Sequence, residues 1–230
     1  MPRLSWAAGL RGALLPTLLL AARVTGAQGD VSGQVTILER PGTQSPDLAN
    51  AVIYLQPASR SGRALDPASL PIVMQSRQFV PRVRVVSVGS TVAFPNQDPF
   101  RHNVFSNSGP GAFDLGLYGR GESRGVALAR PGVYPVFCNI HPRMMAFIVA
   151  VATPYFTQAG ADGRFVISDV LAGNYVLHVW HERGGAQSRA VQVTGAGVPP
   201  VSVQLDARGY RSLPHRNKFG QEYAAADREP

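Results

Sequence analysis

Short apolar runs, repeatedly interrupted by glycine and proline, dominate this sequence of 230 residues. It contains 24 glycines and 19 prolines, residues that break regular structure and mark turns. Several runs alternate apolar and polar residues, as Val31–Ile37 does, and no long segment repeats its apolar residues with the 3.6-residue period of a helix. The pattern predicts an all-β fold built from short strands.

The first 27 residues have the organisation of an export signal. Arg3 and Arg11 precede the apolar run 13–22, and Thr25-Gly26-Ala27 supplies small residues for cleavage. The run is too short to span a bilayer comfortably, so we expect release into a bacterial periplasm with no membrane span left; an uncleaved anchor is the alternative. Cleavage would lower the net charge from +8 to +5, with 19 cationic residues against 14 acidic ones.

The only cysteine of the chain begins a loop that is rich in metal donors. Cys138 is followed by His141 and Met144 at intervals of three residues, between two strand-like segments. His102, which lies 36 residues before the cysteine, adds a second imidazole. A thiolate, two imidazoles and a weak axial thioether are the donors of a blue-copper electron-transfer site. The sequence therefore predicts a site for one copper ion formed by these four residues.

Other interpretations of the loop account for fewer of these residues. A cysteine nucleophile with a histidine base leaves Met144 and His102 without a role, and the loop has no acidic residue to orient the histidine. Zinc is poorly matched by a thioether, and structural zinc sites usually carry more cysteines. The alternative without a site is a buried Cys138 that acts as a small apolar residue, with His141 on a surface turn.

The segment from Val83 to Val151 resembles a cupredoxin of the plastocyanin and amicyanin type. The Cys-x-x-His-x-x-Met spacing is amicyanin-like and is the most specific part of the resemblance. The resemblance implies a Greek-key β-sandwich in which Met144 is the axial ligand; Met145 competes, because a shift of one residue in the loop would present it instead. The matching elements are Val88–Asp98, His102–Val104, Arg130–Tyr134 and Cys138–Met144, and the implied equatorial ligands are His102, Cys138 and His141.

The same resemblance gives Asn103 a supporting role beside the ligands. Its backbone N–H is expected to donate to the Cys138 sulfur, and its side chain is expected to tie the two ligand-bearing segments together. Bonds of this kind orient ligands and tune the potential of a metal. The alternative is an ordinary asparagine in a turn.

Segments on both sides of the cupredoxin-like region resemble the two halves of one further domain. Val31–Val35 with Ala51–Leu55 looks like the first half of a carboxypeptidase regulatory-like domain, and Asp162–Phe165 with Ala172–Leu177 looks like the second. This implies a small prealbumin-like β-sandwich into which the cupredoxin is inserted, as chains tolerate where their ends lie close together. The whole chain also resembles periplasmic proteins often labelled methylamine-utilisation or plastocyanin-like. The expected segments are the signal 1–27, first strands 28–60, cupredoxin 66–153, remaining strands 154–206 and basic tail 207–230.

Two segments are expected to be connections, and the remaining histidines are expected to be structural or solvent-facing. Residues 57–71 have the composition of a linker, and residues 109–125 that of a long connection across the sandwich. The tail is expected to be loosely ordered, with Phe219 against a domain and His215 binding nothing. His178 and His181 lie three apart in a predicted strand, so they point to opposite faces and cannot chelate one metal together.

Together these features predict a periplasmic one-electron carrier rather than an enzyme. Arg101 and Arg143 lie near the ligand histidines, and residues 66–153 hold eight arginines against four acids, so an acidic redox partner is expected. Nucleic acid is not expected as a partner, because the charge is scattered and the chain carries an export signal. The alternatives are a non-catalytic envelope module that stores or delivers copper or binds a partner, and a cysteine hydrolase.

Overall fold

A computed structural model describes residues 26–59 and 63–223 of the protein. Within these residues the fold is nearly all β, with seventeen strands and one 3₁₀ turn at Leu48–Asn50, so the predicted all-β class is confirmed. This part of the chain has no helix of the length and hydropathy that a bilayer span needs. The predicted signal segment 1–27 lies outside the described residues, apart from Gly26 and Ala27.

The strands are three to eleven residues long and form five sheets. In chain order they are β1 (Gln28–Leu38), β2 (Val52–Pro57), β3 (Ser69–Pro71), β4 (Val73–Gln75), β5 (Gln78–Val80), β6 (Val83–Ser87), β7 (Thr91–Pro95), β8 (His102–Ser106), β9 (Phe113–Tyr118), β10 (Ser123–Ala127), β11 (Gly132–Phe137), β12 (Met145–Val151), β13 (Phe156–Gln158), β14 (Arg164–Leu171), β15 (Gly173–His181), β16 (Gly185–Val193) and β17 (Val198–Asp206).

The two ends of the chain build one sandwich, called here the outer sandwich. Its sheets have the orders β14-β1-β17 and β13-β2-β15-β16, and they enclose a core that includes Val35, Ile53, Phe165 and Leu177. β1 pairs antiparallel with β14 and parallel with β17, while β2 lies between β13 and β15. Strands from before residue 60 therefore pair with strands from after residue 153, which is the pairing that an inserted domain requires.

The middle of the chain forms a second sandwich, called here the inner sandwich. Its sheets have the orders β6-β12-β11-β8-β9 and β10-β7-β3, and they enclose a core that includes Phe94, Val136 and Ile148. The β4-β5 hairpin adds buried side chains to the same core. Cys138 and Met144 belong to this core as well, so the loop that carries the copper motif lies at an edge of the inner sandwich.

A third apolar cluster joins the two sandwiches. The Phe147 ring packs 5.5 Å from that of Trp180, and the Arg82 guanidinium lies 2.6 Å from the Glu182 carboxylate, each pair linking the inner sandwich to the outer one. β2 and β12 are consequently buried on both faces, which explains why their sequences are almost uninterrupted apolar runs. The buried members of the cluster are Val52, Val83, Val85, Val149 and Val151.

Two connecting segments contain strands that the sequence did not predict. The expected linker 57–71 ends in β3, which pairs with β7 in parallel. The expected connection 109–125 crosses between the sheets of the inner sandwich, but it does so as β9 in one sheet and β10 in the other. β3 is only three residues long, which is too short for alternation to reveal a strand.

Candidate metal centre

The loop from Cys138 to Met144 is a closed turn between two paired strands. β11 and β12 are antiparallel neighbours, and their last pair before the loop is Phe137 with Met145. Inside the loop, the Cys138 N–H donates to the Met144 carbonyl at 3.1 Å, and the Met144 N–H donates to the His141 carbonyl at 3.0 Å. These bonds hold the loop in one conformation on a rigid strand pair, so donor side chains on it have fixed positions.

Three of the four predicted ligands converge in the structure. Cys138 Sγ lies 3.6 Å from Nδ1 of His102 and 3.5 Å from Nδ1 of His141. The three donor atoms all lie within 4.8 Å of one another, and no other group of three histidines, cysteines or acids in the described residues has this arrangement. His102 and Cys138 are completely buried, while His141 is partly exposed. β8 begins at His102, so the third donor comes from a strand end in the same sheet.

The spacing of these donors fits a trigonal metal ion. A sulfur and a nitrogen placed 120° apart, at about 2.3 and 2.0–2.1 Å from an ion, lie about 3.7–3.8 Å from each other. The two sulfur–nitrogen distances, 3.5 and 3.6 Å, are slightly shorter than this. An ion of this geometry would therefore need little movement of the backbone. Two imidazoles and one thiolate in a trigonal arrangement are the strong donors of type 1 copper sites.

The two methionines of the loop lie on different sides of the sheet. Met144 is 2% exposed and belongs to the same buried cluster as Cys138. Met145 is the first residue of β12, where side chains alternate: Ala146 points into the inner core, while Phe147 packs in the cluster between the sandwiches. Met145 therefore shares the face of Phe147 and points away from the donors. Met144 remains the predicted axial ligand.

A buried carboxylate fixes the orientation of the His102 ring. Nε2 of His102 lies 2.8 Å from Asp98 Oδ2, which leaves Nδ1 directed at the cysteine sulfur. Burial alone would raise the pKa of Asp98, but hydrogen bonds from the Arg77 and Ser76 N–H groups and from His102 hold that pKa below its usual value. An ionised carboxylate behind a ligand histidine makes the imidazole a stronger donor. Asp98 was not predicted from the sequence to have this role, although it stands four residues before His102.

Burial and backbone hydrogen bonds act in opposite directions on the Cys138 thiol. Burial raises its pKa, and N–H groups of Ile140, Asn103 and His141 that bond to the sulfur offset part of this rise. Without a cation the thiol therefore keeps its proton, and binding a metal ion has to displace it. The Asn103 N–H, the expected donor, is thus among the groups that lower this pKa. The N–H donors would stabilise the thiolate form that a metal requires.

The side chain of Asn103 does not make the expected direct link between the ligand-bearing segments. Its Nδ2 donates instead to Asp114 Oδ1 in β9, at 2.7 Å. Because β8 and β9 are neighbouring strands, this bond ties Asn103 within its own sheet rather than to the Cys138 loop. The described residues therefore show no direct hydrogen bond from this side chain to the Cys138 loop.

Phe100 packs against both histidines. Its ring centroid lies 5.2 Å from that of His102 and 5.7 Å from that of His141, and the Arg77 guanidinium lies 5.4 Å from the same centroid. Burial lowers the pKa of His141, and the nearby His102 and Arg77 lower it further. The His141 ring is therefore neutral at pH 7, which is the form that binds a metal.

The remaining histidines lie outside this group of donors. In β15, His178 stacks on Tyr54 at 4.7 Å, whereas His181 is fully buried beside Asp47. Their different surroundings confirm the prediction that they lie on opposite faces. His215 stacks on the Phe137 ring at 4.5 Å and contacts no predicted donor side chain among the hydrogen bonds of the described residues.

Comparisons with known proteins give partial likenesses. No protein-family model and no curated protein sequence matches the chain. Over 51% of its length it is similar to the copper-containing nitrite reductase of Thermus scotoductus SA-01, with 29% identity and a TM-score of 0.35. It is also similar to amicyanin from Paracoccus versutus over 42% of its length, with 19% identity and a TM-score of 0.33, and to a reduced amicyanin mutant over 43%, with 21% identity and a TM-score of 0.34. The chain covers 28% of the reductase chain and 91% and 99% of the two amicyanin chains.

Proposed function

We propose that this protein is a type 1 copper protein that carries single electrons between redox partners. The observation that supports this most strongly is the pair of sulfur–nitrogen distances, 3.5 and 3.6 Å, between one cysteine and two histidines from separate segments. A set of one thiolate and two imidazoles selects copper over hard cations such as magnesium or calcium. Met144, buried in the same cluster, would supply the weak fourth donor.

Each residue has a distinct task in this proposal. Bound copper would supply a reversible couple between its +1 and +2 states. His102, Cys138 and His141 would hold the ion in nearly the same geometry in both states, because the strands and loop that carry them are held by hydrogen bonds. Asp98 would keep the His102 ring oriented. A rigid donor set lowers the structural rearrangement that accompanies gain or loss of an electron.

Burial of the ligands favours the carrier over the delivery module. Transfer of copper to an acceptor protein proceeds by exchange of ligands, so the acceptor needs access to the donor atoms. Cys138 and His102 are 0% exposed. Electrons can cross such a layer of protein, whereas an incoming ligand could replace these two donors only after the loop had opened. We therefore rank copper storage or delivery as the second candidate.

The proposal extends to an acidic partner in the periplasm. His141 is the partly exposed ligand, and Arg77, Arg101 and Arg143 are exposed around the same end of the sandwich. Like charges on one face steer a partner of opposite charge, and the resulting association rate falls with ionic strength. The export pattern of residues 1–27 supports the periplasmic location. A rate of electron exchange with an acidic protein that does not change with salt would contradict this part.

The visible spectrum of the Cu(II)-loaded protein tests the proposal. We expect an intense thiolate-to-copper band in the red, which Cys138→Ser abolishes because serine offers no thiolate. His178→Gln is the matched control, since this histidine lies outside the site, and it should leave the band intact. Absence of the band in the unchanged protein, or its survival in Cys138→Ser, would refute the copper site. Rapid copper transfer to an acceptor without reversible reduction would favour delivery.

A further inference from the structure

The last described residues of the chain form a compact turn rather than the loosely ordered tail that the sequence predicts. We call residues 215–223 the C-terminal strap. The Asn217 side-chain oxygen accepts hydrogen bonds from the N–H groups of Phe219 and Gln221, at 3.0 and 2.9 Å. The Asn217 N–H donates to the Gln221 carbonyl at 2.8 Å. Phe219, the expected anchor, is 71% exposed, so other residues hold the strap in place.

The strap lies against the start of the ligand loop. Three of its residues contact three consecutive residues of the chain, one of which is the cysteine donor. Tyr223 is 8% exposed, and its hydroxyl bond is buried from solvent. The contacts are the His215 ring stacked on the Phe137 ring at 4.5 Å, the Tyr223 hydroxyl donating to the Cys138 carbonyl at 3.0 Å, and the Lys218 N–H donating to Asn139 Oδ1 at 2.8 Å.

The strap also reaches β8, the strand that carries His102. Nζ of Lys218 lies 2.7 Å from Asp114 Oδ2, and the other oxygen of that carboxylate accepts the Asn103 side chain. Asn103 directly follows His102 in β8. One carboxylate in β9 thus connects the strap to β8. The strap therefore has contacts leading to both segments that supply donors.

We infer that the C-terminal strap positions the ligand loop, with Tyr223 as its main positioning residue. The spectroscopic consequences of this inference rest on the proposed copper site, whereas its effect on the loop does not. By holding the Cys138 carbonyl, Tyr223 fixes the start of the ligand loop, where the Cys138 sulfur lies 3.6 and 3.5 Å from the imidazoles of His102 and His141. Without the hydroxyl, the carbonyl is left buried and without that donor, so the loop gains freedom. The sulfur is then less firmly placed relative to the two imidazoles, and such supporting contacts tune a metal site.

Tyr223→Phe in the full chain tests this inference, because it removes one oxygen and keeps the ring. In the metal-free protein, amide hydrogen exchange at residues 139–141 should become about five- to tenfold faster, the effect of losing one hydrogen bond. In the copper-loaded protein, the thiolate-to-copper band should shift and the midpoint potential should change. Tyr210→Phe is the matched control: it removes the same atom from a tyrosine whose carbonyl accepts a bond from Arg40, and it should change neither reading.

Asn217→Ala provides a second test that leaves every contact residue of the strap in place. It removes the oxygen that folds the strap, so it should reproduce the faster exchange at residues 139–141. Unchanged exchange and an unchanged band in both variants would overturn the inference. A protein without any thiolate-to-copper band would instead refute the proposed function, while the exchange measurement on the metal-free chain would still decide whether the strap positions the loop.

Discussion

Each sandwich contains one fully buried histidine beside an aspartate, and the two pairs differ in what the histidine meets on its other side. In the inner sandwich, His102 bonds to Asp98 through Nε2 at 2.8 Å and directs Nδ1 at the Cys138 sulfur. In the outer sandwich, Nε2 of His181 lies 3.2 Å from the Asp47 carbonyl and 3.7 Å from its carboxylate. A buried histidine with an aspartate is thus common to both domains.

The second nitrogen of each ring decides the function of the pair. Nδ1 of His181 accepts the N–H of Arg183 at 3.2 Å, so the outer pair uses both ring nitrogens within the fold. The guanidinium of Arg183 also forms ion pairs with Asp47 and Glu39, at 2.6 and 2.7 Å. Both carboxylates of this network therefore have a cationic partner within the protein. In the inner pair, two imidazoles and a thiol converge instead, a donor set that could hold a metal ion.

The largest expected effect comes from breaking the outer network. Arg183→Met removes the cation between two partly buried carboxylates, and we expect a loss of about 1.5–3 kcal/mol in the free energy of unfolding. Urea denaturation of the metal-free protein would measure it. The copper spectrum should keep its shape in the folded variant, because the network lies in the other sandwich.

Arg189→Met is the control for this change, since Arg189 is exposed in β16 and its loss should alter stability by less than about 0.5 kcal/mol. If Arg183→Met were as harmless as the control, the outer network would contribute little. A change in the copper band would show that the two pairs are not independent.

A smaller effect is expected from the same aspartate-to-asparagine change at the two pairs. Asp98→Asn removes the charge behind a ligand histidine, and we expect copper to dissociate about 10–100-fold faster. Asp47→Asn should leave that rate unchanged, because His181 is not a donor. Both rates can be measured by adding a chelator and recording how fast the visible band disappears. Equal rates in the two variants would remove the distinction between the pairs.

The smallest expected effect is the acid dependence of the outer network. Burial tends to raise the pKa of Asp47, but the bonds of its carboxylate to Arg183 outweigh burial and lower that pKa. Hydrogen bonds from Ser45 and Arg183 lower the pKa of Glu39 in the same way. Carboxyl groups with depressed pKa values add stability above their unfolded values, 3.8 and 4.5, and that stability is lost as the pH falls through the folded values. Urea midpoints of the metal-free protein measured from pH 7 to pH 3 should fall less steeply in Arg183→Met than in the unchanged chain. Equal slopes would contradict this linkage.

The copper motif could be found in the sequence because three of its donors occupy one short loop and belong to rare residue types. Asp98 stood inside the segment that carried the resemblance, yet sequence alone does not show which of several acids lies behind a histidine. The strap could not be predicted, because its contacts come from backbone N–H groups and single side chains with no apolar periodicity. His178 and His181 were interpreted correctly from the two-residue period of a strand.

The pairing of β1 with β17 has a consequence for the order in which the chain becomes structured. Val31 lies beside Val198, a separation of 167 residues along the chain. During synthesis, β1 is therefore made long before the strand with which it pairs in parallel. Bringing such distant ends together is slow in an extended chain, but a compact insert shortens the distance to be searched. If the inner sandwich folds early, it would therefore bring the two segments of the outer sandwich close together. Mutations that delay it should leave a newly made N-terminal strand unpaired for longer and more prone to aggregation.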